Sequence, residues 1–200
     1  LVALGVAAFI AAMLVVGPAL ADHTLRHNML SPVHELSVAG GTCSAVMIAP
    51  EYALTAKHCL RQANEETVGL KLFYIKIDEV AYIMTKFVVA PTEDLALIKV
   101  DGAPCPCAQI SAFPVVEGEW IAAVGFPYGI MKVITYGEVQ GRIKDKINGW
   151  EYVLTTAPVT LGMSGGGAFS ARGYLSGVYT QSDARAVVSS YAETLPGKIN

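Results

Sequence analysis

Gly162-Met163-Ser164-Gly165-Gly166 is the stretch from which both the fold and the chemistry of this chain are read. Glycines on both sides of one serine permit a tight turn that exposes the hydroxyl, because glycine reaches conformations closed to residues with a Cβ. The same turn aims the backbone N–H groups of Gly162 and Ser164 at one point, an arrangement suited to a developing oxyanion. Outward from this turn, short runs rich in Val, Ile, Tyr and Thr alternate with turn residues. Residues 119–125, 132–139, 150–156, 166–170 and 174–180 form one group; residues 44–49, 52–55, 70–77, 80–89 and 95–100 form an earlier one. Two sets of short strands at this spacing predict an all-β chain folded as two antiparallel barrels side by side. Residues 101–116 between them are rich in Pro and Cys, follow neither period, and read as a linker. Barrel 1 then covers about 35–100 and barrel 2 about 117–190, in a domain of 35–200. Helical character is confined to Glu51, residues 61–66 and residues 184–193.

A serine hydroxyl is a poor nucleophile until a base removes its proton during attack. Imidazole suits that task because its pKa lies near working pH, and a carboxylate must hold its other nitrogen. The chain offers one candidate for each role, in the order His58, Asp94, Ser164. His58 lies in Leu54-Thr-Ala-Lys-His58-Cys59, and Asp94 opens the strand Asp94-Leu-Ala-Leu-Ile-Lys-Val. Singly, each has a plainer reading: a satisfied core histidine, a strand-start acid, a chance glycine turn. Together and in order they point to nucleophilic catalysis. Gly162-x-Ser164-x-Gly166 also fits the nucleophile elbow of α/β-hydrolases, in which the acid and histidine follow the serine. The four histidines (His23, His27, His34 and His58) all precede Ser164. That fold is excluded.

With 14 basic and 17 acidic residues and no basic cluster, the composition gives no nucleic-acid footprint. Residues 1–21 carry no charge and end in Ala19-Leu20-Ala21, the small-x-small pattern of a signal-peptide cleavage site. The competing reading is a membrane anchor, since about 20 apolar residues span a bilayer. In both readings the rest of the chain faces an oxidising compartment, secreted or periplasmic, and meets a membrane only if residues 1–21 are retained. Residues 22–34 are polar and mixed and read as a linker or short arm.

Thr55-Ala-Lys-His58-Cys59, Asp94-Leu-Ala-Leu and Gly162-Met-Ser164-Gly-Gly resemble the three signatures of the trypsin-like serine peptidases. Val124-Gly-Phe-Pro-Tyr-Gly-Ile, Thr135-Tyr-Gly-Glu-Val and Thr155-Thr-Ala-Pro-Val are similar to the bacterial HtrA-like branch. The resemblance implies two six-stranded antiparallel barrels of the chymotrypsin type, with the active site in the cleft between them. It implies a serine endopeptidase acting through an acyl-enzyme, with polypeptide as its partner and neither metal nor cofactor. Ser164 would be the nucleophile, His58 the base and Asp94 its orienting acid; Gly162 and Ser164 would supply the oxyanion hole. Pro158 and Val159 would form the base and wall of the primary specificity pocket. With no acid there, small or medium apolar side chains are expected. Thr180, Gln181 and Ser182 would be an edge strand pairing with substrate.

The resemblance also implies a Cys43–Cys59 disulfide beside the histidine. Cys105 and Cys107 stand where some viral relatives keep half of a zinc site, but no Cys or His follows Cys107 to complete four ligands. A bridge between them, or pairing with a partner chain, stays open. Met163 departs from the digestive members, which carry an Asp there to pair with a new N-terminus. A thioether cannot form that ion pair, so no activation of that kind is expected, and no PDZ-like domain is expected either. The alternative reading is a catalytically silent relative that binds peptides or partners; an acyl hydrolase on the same barrels is a third.

Overall fold

The computed structural model describes residues 23–63, 72–144, 146, 149–181 and 185–187. The apolar segment 1–21 and Ser182 lie outside the described residues. Among the described residues, twelve strands form two closed six-stranded antiparallel barrels. The first closes in the order β1-β2-β3-β6-β5-β4. Its strands are β1 (Val33–Val38), β2 (Gly41–Ala49), β3 (Tyr52–Thr55), β4 (Tyr74–Ile77), β5 (Val80–Val89) and β6 (Ala96–Val100). The second closes as β10-β11-β12-β9-β8-β7. It comprises β7 (Trp120–Gly125), β8 (Val133–Lys144), β9 (Glu151–Thr155), β10 (Gly167–Ser170), β11 (Leu175–Gln181) and β12 (Arg185–Val187).

Strand period and turn chemistry account for the barrels. In β4, Ile75 and Ile77 point into barrel 1 while Tyr74 and Lys76 are only half-buried, the two-residue alternation of a strand with one wet face. The hairpin from β4 to β5 turns on Asp78 and Glu79, with φ of 46° and 65°. Positive φ at both central residues matches the right-handed twist of the paired strands. Burial divides into three clusters. One fills barrel 1 around Leu36, Met47, Phe73 and Ile98. Another fills barrel 2 around Ile121, Val153, Met163 and Tyr179. The third joins the barrels, with Val46, Leu54 and Leu97 against Val124, Phe169 and Val178. Strands at that seam are buried on both faces, which explains why β6 reads as an almost unbroken apolar run.

The stretch 22–34, expected to be a linker or arm, differs in the structure. Residues 23–30 form a helix, α1, and the strand β1 starts at Val33. Leu25, Met29 and Leu30 fall on one face of that helix and pack into the seam between the barrels. Its polar face carries His23, Arg26, His27 and Asn28, the residues that made the stretch read as linker. Lys132 Nζ donates to the carbonyl of Leu30 at 2.7 Å, satisfying a carbonyl at the helix's C-terminal end. β1 pairs with both β2 and β4, so it is the strand that closes barrel 1. At the far end, residues 185–187 form a strand where helical character was expected. Their pairing with β11 and β9 closes barrel 2, a long-range term that local propensity does not contain.

The connector 101–116 holds no regular element beyond one bridge, Ile110 to Leu175. It is pinned to both barrels: Ala108 N–H donates to Met47 O and Ser111 N–H to Leu175 O, each at 2.8 Å. Cys43 and Cys59 form a disulfide 16 residues apart in sequence, and Cys105 is bridged to Cys107. Closing a loop of the first size contributes about 3 kcal/mol in the chain-entropy account.

Candidate active site

Barrel 1 supplies the histidine and the acid. His58 lies in the 3₁₀ turn Lys57–Leu60 that leaves β3, and Asp94 lies just ahead of β6, the strand paired with β3. Their carboxylate contact is double: His58 Nδ1 sits 2.7 Å from Asp94 Oδ2, and His58 N–H donates to Oδ1 at 2.8 Å. Asp94 is 5% exposed, while the His58 ring is partly open to solvent. A buried carboxylate held by one N–H and one ring nitrogen fixes the ring's rotation and the proton on Nδ1, leaving Nε2 as the free acceptor. Lys57 faces the other way, donating to Ala90 O at 3.1 Å with its ammonium 5.4 Å from the Trp150 ring centre.

Barrel 2 supplies the serine, and the glycines around it are required by space. A Cβ on Gly165 would come within 2.0 Å of Ser44 O and 2.2 Å of Thr55 Oγ1. One on Gly166 would meet Val124 O at 2.2 Å, and one on Gly162 would meet Phe126 O at 2.4 Å. The turn is therefore wedged between the barrels. Ser44 N–H donates to Ser164 O at 2.7 Å from barrel 1, and Gly165 N–H donates to Tyr179 O at 2.6 Å in barrel 2. Ser164 O also lies 3.8 Å from the sulfur of Cys59, the residue next to His58. The disulfide thus ties β2, the histidine turn and the serine turn into one place. Among the described residues, no hydrogen bond engages the Ser164 hydroxyl.

Peptide planarity then decides where the turn's donors point. Tyr128 N–H holds Leu161 O at 2.8 Å, so the Gly162 N–H of that same trans peptide faces the opposite way. Gly166 N–H holds Met163 O at 2.9 Å, which turns the Ser164 N–H outward in the same manner. Neither amide donates to another described residue. Ser44, which sequence reading did not single out, locks this arrangement: its hydroxyl donates to Gly162 O at 2.8 Å and accepts from Phe126 N–H at 2.9 Å. Its only sequence signal is its place beside Cys43.

The structure places the remaining expected residues as follows. Pro158 is exposed, with its carbonyl taking the Thr135 hydroxyl at 2.7 Å. Val159 packs on the barrel 2 cluster that holds Met163 and Tyr179. Met163 is buried there among apolar groups. Thr180 is buried, its hydroxyl without a partner among the described residues. β11 lies inside the barrel between β10 and β12 rather than at an edge. No β10 residue is in register with it past Val178, and the serine turn takes that side through Tyr179. Gln181 pairs with Arg185 across the β11–β12 hairpin. Cys43, His58 and Cys59 bring their ligand atoms within 4.8 Å of one another, but both sulfurs are spent in the disulfide. Glu93, next to Asp94, has its pKa pushed up to about 7 by burial and by the charge of Glu151.

A trypsin-like peptidase domain model matches residues 43–178, which include His58, Asp94 and Ser164. The chain belongs to the trypsin-like peptidase family. It is similar to a probable periplasmic DegP-like serine endoprotease of Brucella suis, with 32% identity over 78% of this chain. A relative of the same description from Pseudomonas fluorescens is 27% identical over 68% of this chain. The chain spans only 30% and 28% of the length of these relatives. Among solved structures, the HtrA-type protease AlgW with tripeptide superposes with a TM-score of 0.71 at 21% identity, covering 88% of this chain and 62% of that one. The active form of the Rv3671c protease from M. tuberculosis gives 0.71 at 19% identity, covering 86% of this chain and 82% of that one. At such identities the superpositions establish the fold, the chymotrypsin-like double barrel. The domain has the serine-protease fold of the trypsin-like family.

Proposed function

We propose that this domain hydrolyses peptide bonds through an acyl-enzyme formed on Ser164. The observation that carries the reading is the double contact of His58 with the buried Asp94, beside a serine turn whose two outward amides have no partner among the described residues. In this mechanism Nε2 of His58 takes the Ser164 proton as the oxygen attacks the scissile carbonyl. Asp94 keeps the ring in one tautomer and stabilises the imidazolium that forms. The Gly162 and Ser164 amides receive the oxyanion, a contribution worth about 3 kcal/mol for one such donor. His58 then gives its proton to the departing amine, and a water activated by the same ring releases the acyl group.

The substrate would be a polypeptide. The peptide named with AlgW supports that class, since the two chains share the fold. Val159 and the exposed Pro158 would border the acyl-side pocket, and the end of β11 at Thr180 and Gln181 would flank it. Val159 packs against the apolar barrel 2 cluster, and neither it nor Pro158 carries a charge, which favours small or medium apolar side chains. The periplasmic relatives and the Cys43–Cys59 disulfide support work outside the cytoplasm.

The test is cleavage of an unfolded protein such as reduced casein by the native chain and by Ser164→Ala. Cleavage by the native chain that vanishes in the variant is the expected outcome. A folded, oxidised native chain that cuts nothing would contradict the proposal and favour the peptide-binding reading.

A further inference from the structure

The surface beside the serine turn is apolar where solvent-facing surface is ordinarily mixed. Tyr128, Ile130, Met131 and Leu161 are 62%, 77%, 61% and 63% exposed. Three of them lie on or just after the 3₁₀ turn Pro127–Gly129, and Leu161 directly precedes Gly162. The two segments are joined: Tyr128 N–H donates to Leu161 O at 2.8 Å, and Thr160 Oγ1 lies 3.2 Å from the Tyr128 hydroxyl. Tyr128 is held at φ 53°, a left-handed conformation unfavourable for a residue with a side chain. Exposed apolar patches and strained backbone both mark binding surfaces more often than chance surface.

The position of this rim names its occupant. The serine turn has β11 on one side, through Gly165 and Tyr179, and β2 on the other, through Ser44. The turn Pro127–Gly129 belongs to the β2 side: a Cβ on Gly129 would touch Thr42 in β2, and Phe126 N–H is held by Ser44. A polypeptide whose acyl half follows the end of β11 must carry its leaving half across β2, and so over the rim. We propose that Tyr128, Ile130, Met131 and Leu161 bind an apolar side chain of the substrate on the leaving-group side of the scissile bond. This rests on the catalytic reading of Ser164 given above.

The experiment uses the full chain and its Ile130→Ser/Met131→Ser variant, whose changes are both at exposed positions outside the serine turn. Two fluorogenic peptides differ only in Leu or Ser as the second residue after the cut. The native chain should favour Leu in kcat/KM on the order of ten-fold, mostly through KM, the scale of selectivity an apolar contact supplies. The variant should bring that ratio near one while still taking a fluorophosphonate probe. A native ratio near one, or a ratio preserved in the variant, overturns the proposal alone. So does a variant that differs only in sedimentation, which would assign the rim to a second copy of the chain. A native chain that neither cleaves nor takes the probe overturns the catalytic reading, and this inference with it.

Discussion

Barrel 1 grips His58 by electrostatics and covalency, whereas barrel 2 shapes the Ser164 turn by steric exclusion. On the first side a buried carboxylate takes both the ring and the main chain of His58, and the Cys43–Cys59 bridge anchors the turn that carries it. On the second, Gly162, Gly165 and Gly166 sit where no Cβ fits, and Met163 packs apolar in barrel 2 with no ion pair behind it. The contrast teaches that the His58 side depends on charges and a bridge, which chemistry can remove one at a time. The Ser164 side depends on absent atoms, so almost any added atom disturbs it.

The largest effect should come from the electrostatic side. Asp94→Asn keeps the shape but favours the wrong tautomer of His58, and kcat should fall on the order of 10⁴-fold in steady-state peptide hydrolysis. A fall of less than ten-fold would mean that Asp94 does not orient the ring. On the steric side, Gly165→Ala puts a methyl against Ser44 O and Thr55 Oγ1. Activity should be lost together with about 3 kcal/mol of stability in denaturant melts, the cost of overpacking against backbone. A fully stable, active Gly165→Ala chain would refute the wedge. Replacing both Cys43 and Cys59 by Ser should cost about 3 kcal/mol in the same melts.

A smaller and subtler contrast is in pH. His34 on β1 is buried, its Nε2 without a partner among the described residues, and burial, with Lys132 nearby adding to it, lowers its pKa to about 4. The unfolded chain therefore binds a proton near 6.5 that the folded chain refuses until about 4, so stability falls as pH drops through that window. Glu93 has the opposite sign. Its folded pKa near 7 exceeds its unfolded value near 4.5, so its contribution rises as pH drops from 7 toward 4.5. Across melts between pH 7 and 4.5, stability should therefore tilt upward toward acid in His34→Leu and downward toward acid in Glu93→Gln, each relative to the native chain. The same slope in all three chains would contradict both assignments.

Much of the fold was legible in the sequence because its strands alternate and its turns carry the right residues. The run 80–89 matches β5, and 52–55 matches β3. β1, β12 and α1 were not legible, because each is stabilised by partners far along the chain: β1 by β4, β12 by β9, and α1 by the seam between the barrels. In the candidate site, His58 and Asp94 were legible through their motifs, as was the glycine turn around Ser164. Ser44 was not, since a lone serine after a cysteine carries no signal of the carbonyl it will hold. The rim of Tyr128 and Leu161 was equally hidden, because exposure is a property of the fold and not of the residue.

The central claim is that the hydroxyl of Ser164 is activated by His58 from the opposite barrel. Its most direct test is to react the oxidised native chain with a fluorophosphonate and map the adduct by peptide mass, alongside His58→Ala. The account predicts one adduct, on Ser164, formed rapidly in the native chain and at least a hundred-fold more slowly in the variant, roughly the least that a general base contributes. An adduct on another serine, or equal rates in the two chains, would contradict it.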